Sequence, residues 1–202
     1  MAEITSEKSG GSGVFVGVFD GHNAAAAVFC EGRVQAVLQE ERLTGVKNHF
    51  GLPARAVPEV MSLAGIGAAD VEGVCFASHY LPAPCEPGFM KHNFDQRYGA
   101  DLRRLVQRKL SSSNAYRQHR ARKRMAQRQA VVGQWGLRPE TVRFYDHHET
   151  HAATVYHGLR RDDEPYLVLT LDGGGDGLSG SVWTGRNGEM EEVARIPRED
   201  SL

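Results

Sequence analysis

Residues 14–39 read VFVGVFDGHNAAAAVFCEGRVQAVLQ, and the fold turns on how this stretch is read. Val14 to Phe19 is a β-branched and aromatic run, Asp20-Gly21-His22-Asn23 has turn character, and Ala24 to Cys30 resumes an apolar course. Glu31-Gly32 marks a tight hairpin into Arg33 to Gln39, where Val34, Ala36 and Leu38 alternate with polar neighbours. Three strands joined by short turns make an antiparallel meander. The pattern returns late in the chain. Tyr166 to Leu171 ends in Asp172, Gly173 to Asp176 reads as a turn, Ser179 to Thr184 is a strand, and Asn187-Gly188 turns into Met190 to Ile196.

Between the two meanders the period changes. Val57, Val60, Met61 and Ala64 lie at i, i+3, i+4 and i+7, which predicts a helix from Pro53 that stops at Gly65. Val71 to Ser78 returns to strand character, and three prolines in Leu81 to Gly88 disfavour any regular element. Leu102, Leu105, Val106 and Leu110 have helical spacing, Ser111 to Asn114 breaks it, and a second helix runs to about Arg128. Val142 to Tyr145 is a short strand, Asp146 an N-cap, and His147 to Tyr156 a helix closing before Gly158.

The order βββαβαβα followed by βββ predicts an α/β fold of the actin-like, ribonuclease-H-like class shared by sugar kinases, Hsp70 and actin: one complete unit and the first three strands of a second. Residues 1–13 are expected to be a disordered tail. Residues 14–160 form the first unit, with a basic helical insertion near 97–129, and 161–202 open the second. In that architecture the first turn of each meander reaches a central cleft and meets nucleotide phosphates. Three strands with no helix to cover them leave an apolar face in water, so the chain reads as an N-terminal portion of something longer, and self-association is an expected consequence.

Composition narrows the function. Lys and Arg total 24 against 25 Asp and Glu, a net charge of -1 that argues against binding nucleic acid with the whole surface. The basic residues are concentrated, since Arg97 to Arg128 carries eleven Lys or Arg and a single acid, Asp101. Cys30, Cys75 and Cys85 form no CxxC pair, so neither a disulfide framework nor a thiolate zinc site is suggested. The polar, Gly/Ser-rich start is unlike a signal peptide and no apolar run is long enough for a membrane helix, so a cytoplasmic protein with no membrane partner is expected.

Four constellations carry chemistry. Asp146-His147-His148-Glu149-Thr150-His151 places His147 and His151 at i and i+4 of a helix, so both imidazoles project from one face and can bind one metal ion; the plainer reading is a capping and two solvated histidines. A metal needs further ligands, for which Asp172 is a candidate and Asp176 a weaker one. His148 falls on a different face and is suited to donate to a neighbouring carbonyl or carboxylate. Leu171 to Gly177 (LDGGGDG) lets backbone amides at Gly173, Gly174 and Gly175 approach a phosphate, or is a glycine hairpin without a ligand. Asp20 and His22 occupy the equivalent turn of the first unit, His22 being either a general acid or base or an exposed turn residue. Arg42 and Lys47 flank the loop after the first meander, where they can clamp an anionic oxygen or pair with Glu40 and Glu41 on the surface.

Taken in order, GVFDGHNAAAAV, QEERLTGVKNHFGLP, DHHETHAATVY, LTLDGGGDG and the closing PREDSL resemble the nodulation and antibiotic O-carbamoyltransferases of NodU/CmcH type, over most of residues 14–80 and 142–202. The resemblance implies a two-domain enzyme. Its large domain has the actin-like fold of the universal protein that makes threonylcarbamoyladenosine in tRNA, and a YrdC-like domain makes carbamoyl adenylate from carbamoyl phosphate and ATP. The large domain then moves the carbamoyl group to a hydroxyl of a small-molecule or sugar-containing acceptor. By the same resemblance His147 and His151 bind a divalent metal, iron(II), with Asp172 as a third ligand and a further Asp beyond Leu202. His22 and Lys47 match residues lining the transfer site; the chemistry of carbamoyl transfer suits His22 as the base, and Asp20, Arg42 and Gly173 to Gly175, on the residue readings above, are candidates to contact the nucleotide or carbamoyl group. Residues 82–135 match poorly, and Gly45 stands where the family has a basic residue.

Two other readings compete. An anion- or nucleic-acid-binding module would act through the Arg-rich hairpin, although the helical basic face is more simply a solvated one. An actin-like kinase fragment would share the two Asp-containing loops, but it gives the HxxxH helix no role.

Overall fold

The computed structural model describes residues 13–79, 114–159 and 164–200. The expected tail, the proline-rich stretch and the first basic helix lie outside the described residues. The first meander consists of β1 (Val14–Phe19), β2 (Ala25–Cys30) and β3 (Arg33–Gln39). With β4 (Val71–Phe76) and β5 (Val142–Phe144) it forms one sheet of order β3-β2-β1-β4-β5. The meander strands pair antiparallel, while β1 pairs parallel with β4 and β4 parallel with β5. This is the ribonuclease-H-like arrangement that the element order predicts. The turn between β2 and β3 has positive φ at both Glu31 (51°) and Gly32 (74°), the conformation a two-residue hairpin requires.

Helices cover one face of this sheet. A four-residue α1 (Glu41–Thr44), not foreseen from the sequence, precedes α2 (Ala56–Ala64). Val57, Val60 and Met61 of α2 pack with Val16, Val18, Ala26, Val28, Val74 and Phe76. α2 stops at Gly65 (φ 68°), after which Ile66 returns its N–H to the Met61 carbonyl at 2.9 Å. At its other end the cap is remote. The carboxylate of Glu40, only 2% exposed, accepts the N–H groups of Arg55 (3.0 Å) and Ala56 (2.7 Å).

The crossover between β4 and β5 is carried by α3 (Asn114–Gln134). It extends one to two turns past the expected end near Arg128, because Val132 is still core and Gly136 (φ 75°) supplies the left-handed stop. The described part of the basic segment therefore belongs to the fold, and Arg128, at 3% exposed, is withdrawn from any anion-binding surface.

The second meander is a separate sheet, β6 (Tyr166–Gly175), β7 (Leu178–Arg186) and β8 (Glu189–Pro197), with Asn187 and Gly188 at positive φ in its second turn. The glycine-rich turn is shorter than the sequence suggests. β6 continues through Gly175 with an irregular register after Leu171, and the reversal falls on Asp176 and Gly177. α4 (His147–Leu159) lies on one face of this sheet, packing Ala152 and Tyr156 against Val168 and Trp183. Gly185 has no Cβ because the Tyr156 ring occupies that space, and the Tyr156 hydroxyl accepts the Gly188 N–H at 2.9 Å. Leu167, Leu169, Leu171 and Val193 are exposed. No helix among the described residues is long and apolar enough to cross a membrane.

Candidate metal centre

β1, β4 and β5 run parallel, so their carboxyl ends share one edge of the sheet, the edge at which open α/β sheets bind ligands. Asp20 follows β1, Ser78 lies two residues past β4, and Asp146 and the start of α4 follow β5. The β6–β7 hairpin reaches the same edge from the second sheet, through Asp176 contacts to Ser78, His79 and His147.

Here the three residues expected to bind metal converge. His147 Nε2 lies 2.8 Å from Asp172 Oδ2 and 3.1 Å from His151 Nε2, and His151 Nε2 is 4.0 Å from the same carboxylate oxygen. Among the described residues they are the cluster whose donor atoms all lie within 4.8 Å of one another. The donor set fits a divalent cation of borderline hardness: two imidazole nitrogens and one carboxylate, with no thiolate, close enough together to share one ion.

The charge states favour ligation. Burial, reinforced by His147, lowers the pKa of His151 against the pull of Asp172, so its imidazole stays neutral to lower pH than an ordinary histidine. Burial alone would raise the Asp172 carboxyl, but hydrogen bonds from His147 and from the Gly173 N–H, with the nearby histidine charges, hold it below its usual range. His147 is 6% exposed and its Nδ1 has no hydrogen-bond partner, so its ring is held by its surroundings and not by a bond to that second nitrogen.

His148 has the other role foreseen for it. Fully buried, it donates from Nε2 to the Leu178 carbonyl at 3.2 Å, while Nδ1 lies 2.8 Å from Thr170 Oγ1. Thr170 Oγ1 meets Ser181 Oγ at 2.7 Å, and Ser181 Oγ accepts the Trp183 indole N–H at 2.7 Å. With neutral His148 every donor in this chain has an acceptor. Asp146 caps α4 as predicted, its Oδ1 accepting the N–H groups of His148 (2.8 Å) and Glu149 (3.3 Å).

The remaining candidates lie around this centre at different depths. His22 is exposed, its ring edge-on to Phe19 at 5.8 Å, and Phe19 is in turn 6.0 Å from His147. Arg42, on α1, and Lys47, on the loop that follows it, are exposed. That loop is zipped to the β1–β2 turn by Ala24 N–H to His49 O (2.9 Å) and Gly51 N–H to Gly21 O (3.1 Å), which sets Phe50 opposite His22 in an isolated antiparallel bridge. Asp20 is buried, and both of its oxygens sit in the guanidinium fork of Arg128 at 2.7 Å. The three glycines differ: Gly173 fronts open space, Gly174 (φ 141°) underlies the Arg198 guanidinium, and Gly175 faces the His147 ring.

Sequence reasoning missed Arg128, Ser78 and Glu40. A charged residue in a charged stretch reads as solvated, and their partners lie 15 to 108 residues away. Burial pushes the Cys75 thiol up against the pull of Arg143 and Tyr145 nearby, which disfavours its thiolate.

Fold and site together define a ribonuclease-H-like α/β sheet with a His₂-carboxylate cluster at the carboxyl edge of its parallel strands. The chain belongs to the carbamoyltransferase family, residues 15–202 matching the part described as Carbamoyltransferase N-terminus. It is 28% identical over 183 residues to Nodulation protein NolNO of Sinorhizobium fredii (strain NBRC 101917 / NGR234), covering 90% of this chain and 24% of that protein. It is 23% identical over 172 residues to Uncharacterized protein sll1178 of Synechocystis sp. (strain ATCC 27184 / PCC 6803 / Kazusa), covering 84% and 26% respectively. The chain thus spans about a quarter of the length of these curated relatives. Two solved structures share 14% identity with it: YeaZ from Pseudomonas aeruginosa (TM-score 0.40, 92% of this chain and 68% of that chain), and an uncharacterized protein described as similar to peptidase YEAZ from Pseudomonas aeruginosa (TM-score 0.41, 94% and 69%).

Proposed function

We propose that this chain is the N-terminal part of the transfer domain of an O-carbamoyltransferase, moving a carbamoyl group from carbamoyl adenylate to a hydroxyl of a small-molecule or sugar-containing acceptor. The observation that carries the reading is the convergence of His147, His151 and Asp172 in a chain of this family. These three would hold a divalent ion, iron(II) by the family resemblance, which when bound supplies Lewis acidity towards a substrate oxygen.

The rest falls to the chain's own groups. His22, exposed beside Phe19, takes the proton of the acceptor hydroxyl as its oxygen attacks the carbamoyl carbon. The new C–O bond forms, the bond from that carbon to the phosphate oxygen breaks, and AMP leaves with the electron pair. Lys47 and Arg42 offset the phosphate charge. Gly173, with open space where a side chain would stand, lets the donor approach the β6 backbone. An apolar depression beyond Phe19, lined by Gly17, Ala25, Ala27, Ala77 and Tyr145, is available to an apolar part of a substrate. Carbamoyl phosphate and ATP would be consumed in a YrdC-like domain of the same protein, in the cytoplasm.

The test uses the protein that carries this segment, given labelled carbamoyl phosphate, ATP and a panel of hydroxyl acceptors. The expected result is label on an acceptor oxygen, reduced at least about tenfold in His151→Ala. Failure to label any acceptor, or transfer indifferent to His151→Ala, overturns the reading.

A further inference from the structure

We infer that Asp176, which the reaction above does not use, is a positioning residue that sets the His147 imidazole against Asp172; the inference rests on the reading of this cluster as a metal site. Asp176 stands in the left-handed region (φ 49°) at the tip of the β6–β7 hairpin, a conformation that aspartate tolerates better than most side chains. Its Oδ1 accepts the Ser78 hydroxyl at 2.8 Å, and its Oδ2 accepts the N–H groups of His79 and His147, each at 2.9 Å. Those donors are its partners, so the sequence-based thought of Asp176 as a metal ligand gives way to a clasp.

The clasp is specific to His147. The N–H groups at a helix start have no carbonyl four residues back to bond, and in α4 those of His148 and Glu149 return to the Asp146 carboxylate, while Thr150 makes the first intrahelical bond, to the Asp146 carbonyl. The N–H of His147 instead goes to Asp176, 29 residues away. Asp146 therefore already does the work of an N-cap, and the extra bond serves to tie the helix start to a hairpin of the other sheet. Four residues before Asp176 on the same hairpin, Asp172 meets the far end of His147 at Nε2. One hairpin thus holds His147 by its backbone and by its ring, with Gly175 between the two grips.

The position of that hairpin is referenced to the first sheet. Ser78, which donates to Asp176, offers its carbonyl to Arg128 Nη1 at 2.8 Å, and Arg128 forks onto Asp20. A path of charge-assisted hydrogen bonds runs from the end of β1 through α3 and the end of β4 to the ligand helix. Such outer partners orient ligands, and ligand groups need placement within about 0.5 Å.

The experiment compares the wild-type protein that carries this segment with Asp176→Asn, which keeps the left-handed turn and one acceptor but turns an amide NH₂ towards a donor. Two readouts are taken. One is the ring ¹⁵N signals of His147 in metal-free protein, assigned by their loss in His147→Gln. The other is the affinity and visible spectrum of bound Co²⁺. Asp176→Asn is expected to shift the His147 ring signals, weaken Co²⁺ binding about tenfold or more and alter the Co²⁺ bands while the far-UV spectrum stays native. Unchanged ring signals and unchanged Co²⁺ binding overturn the inference. Shifted ring signals in a protein whose wild type binds no Co²⁺, or whose His151→Ala variant binds it as well, leave the clasp standing and overturn the metal reading instead. Should Asp176→Asn not fold, Ser78→Ala removes one donor to the same carboxylate, and His147 ring signals that do not move in it overturn the inference.

Discussion

Gly175 lies flat against the imidazole of His147: a Cβ built on this glycine would fall inside the contact radii of the ring's Cγ and Cδ2. The three glycines after Asp172 look alike in the sequence and are unlike in the fold. Gly175 is where backbone must approach a side chain, whereas a Cβ on Gly173 meets nothing within 4 Å.

Gly175→Ala is accordingly expected to displace either β6 or the His147 ring, costing about 1–3 kcal/mol of stability and weakening divalent metal binding at least about tenfold. Gly173→Ala should leave both nearly unchanged. Urea denaturation and calorimetric metal titration of the two variants check this, and equal behaviour of the pair would sink the distinction.

The lowered pKa of His151 has a signed consequence for the metal-free protein. Its folded value lies below the ordinary 6.5, so beneath that pH the unfolded chain binds more protons than the folded one, and stability falls as the pH drops from 6.5 towards the folded value. Asp172 acts in a lower window. Its stabilisation is present above the ordinary 3.8 and is lost as pH falls through its depressed folded value. Denaturation between about pH 5 and 7 should therefore show stability rising with pH, with a shallower slope in His151→Gln. A slope that the substitution leaves unaltered would contradict this.

Glu40 is the remote cap of α2, so Glu40→Gln, which keeps one acceptor and gives up the charge, is expected to cost about 1–2 kcal/mol. Hydrogen exchange localises the effect. The amides of Arg55 and Ala56, which Glu40 accepts at 3.0 and 2.7 Å, should lose protection ahead of the sheet. Loss spread evenly over the chain would argue against a capping role.

What could be read in the sequence was local. The alternation of Val34, Ala36 and Leu38, the Glu31-Gly32 and Asn187-Gly188 turns, and the i, i+4 spacing of His147 and His151 encode period and turn chemistry within a few residues; each element is found, although α4 runs through Gly158 to Leu159 where a stop before Gly158 is expected. Asp172 was legible as a ligand candidate because it follows the apolar run Tyr166 to Leu171 and precedes glycines. Long-range electrostatics was not legible. Arg128 sits among solvated cations of α3 and Glu40 beside Glu41 and Arg42, and only the fold shows that these two charges are buried. The end of β6 was misjudged for a related reason: glycines normally mark turns, and here two of them make room for His147 and Arg198 within a strand.

The Asp20–Arg128 pair yields the prediction that separates a structural from a ligand-binding role for Asp20. Both side chains are nearly inaccessible, at 5% and 4% exposed, and the guanidinium lies 5.1 Å and 5.4 Å from the ring centres of Phe76 and Phe144. Removing one partner leaves the other charge in an apolar setting, a cost of about 3–5 kcal/mol, whereas removing both leaves only unfilled space and the lost bond to Ser78. Arg128→Met and Asp20→Asn should each destabilise strongly, and the double variant should recover a large part of the loss. Had Asp20 served mainly to bind a nucleotide or carbamoyl group, Asp20→Asn would instead leave stability near wild type and weaken only ligand affinity. Urea denaturation of the four proteins in the cycle distinguishes the two: single-variant losses below about 1 kcal/mol with no recovery in the double variant would refute the structural role.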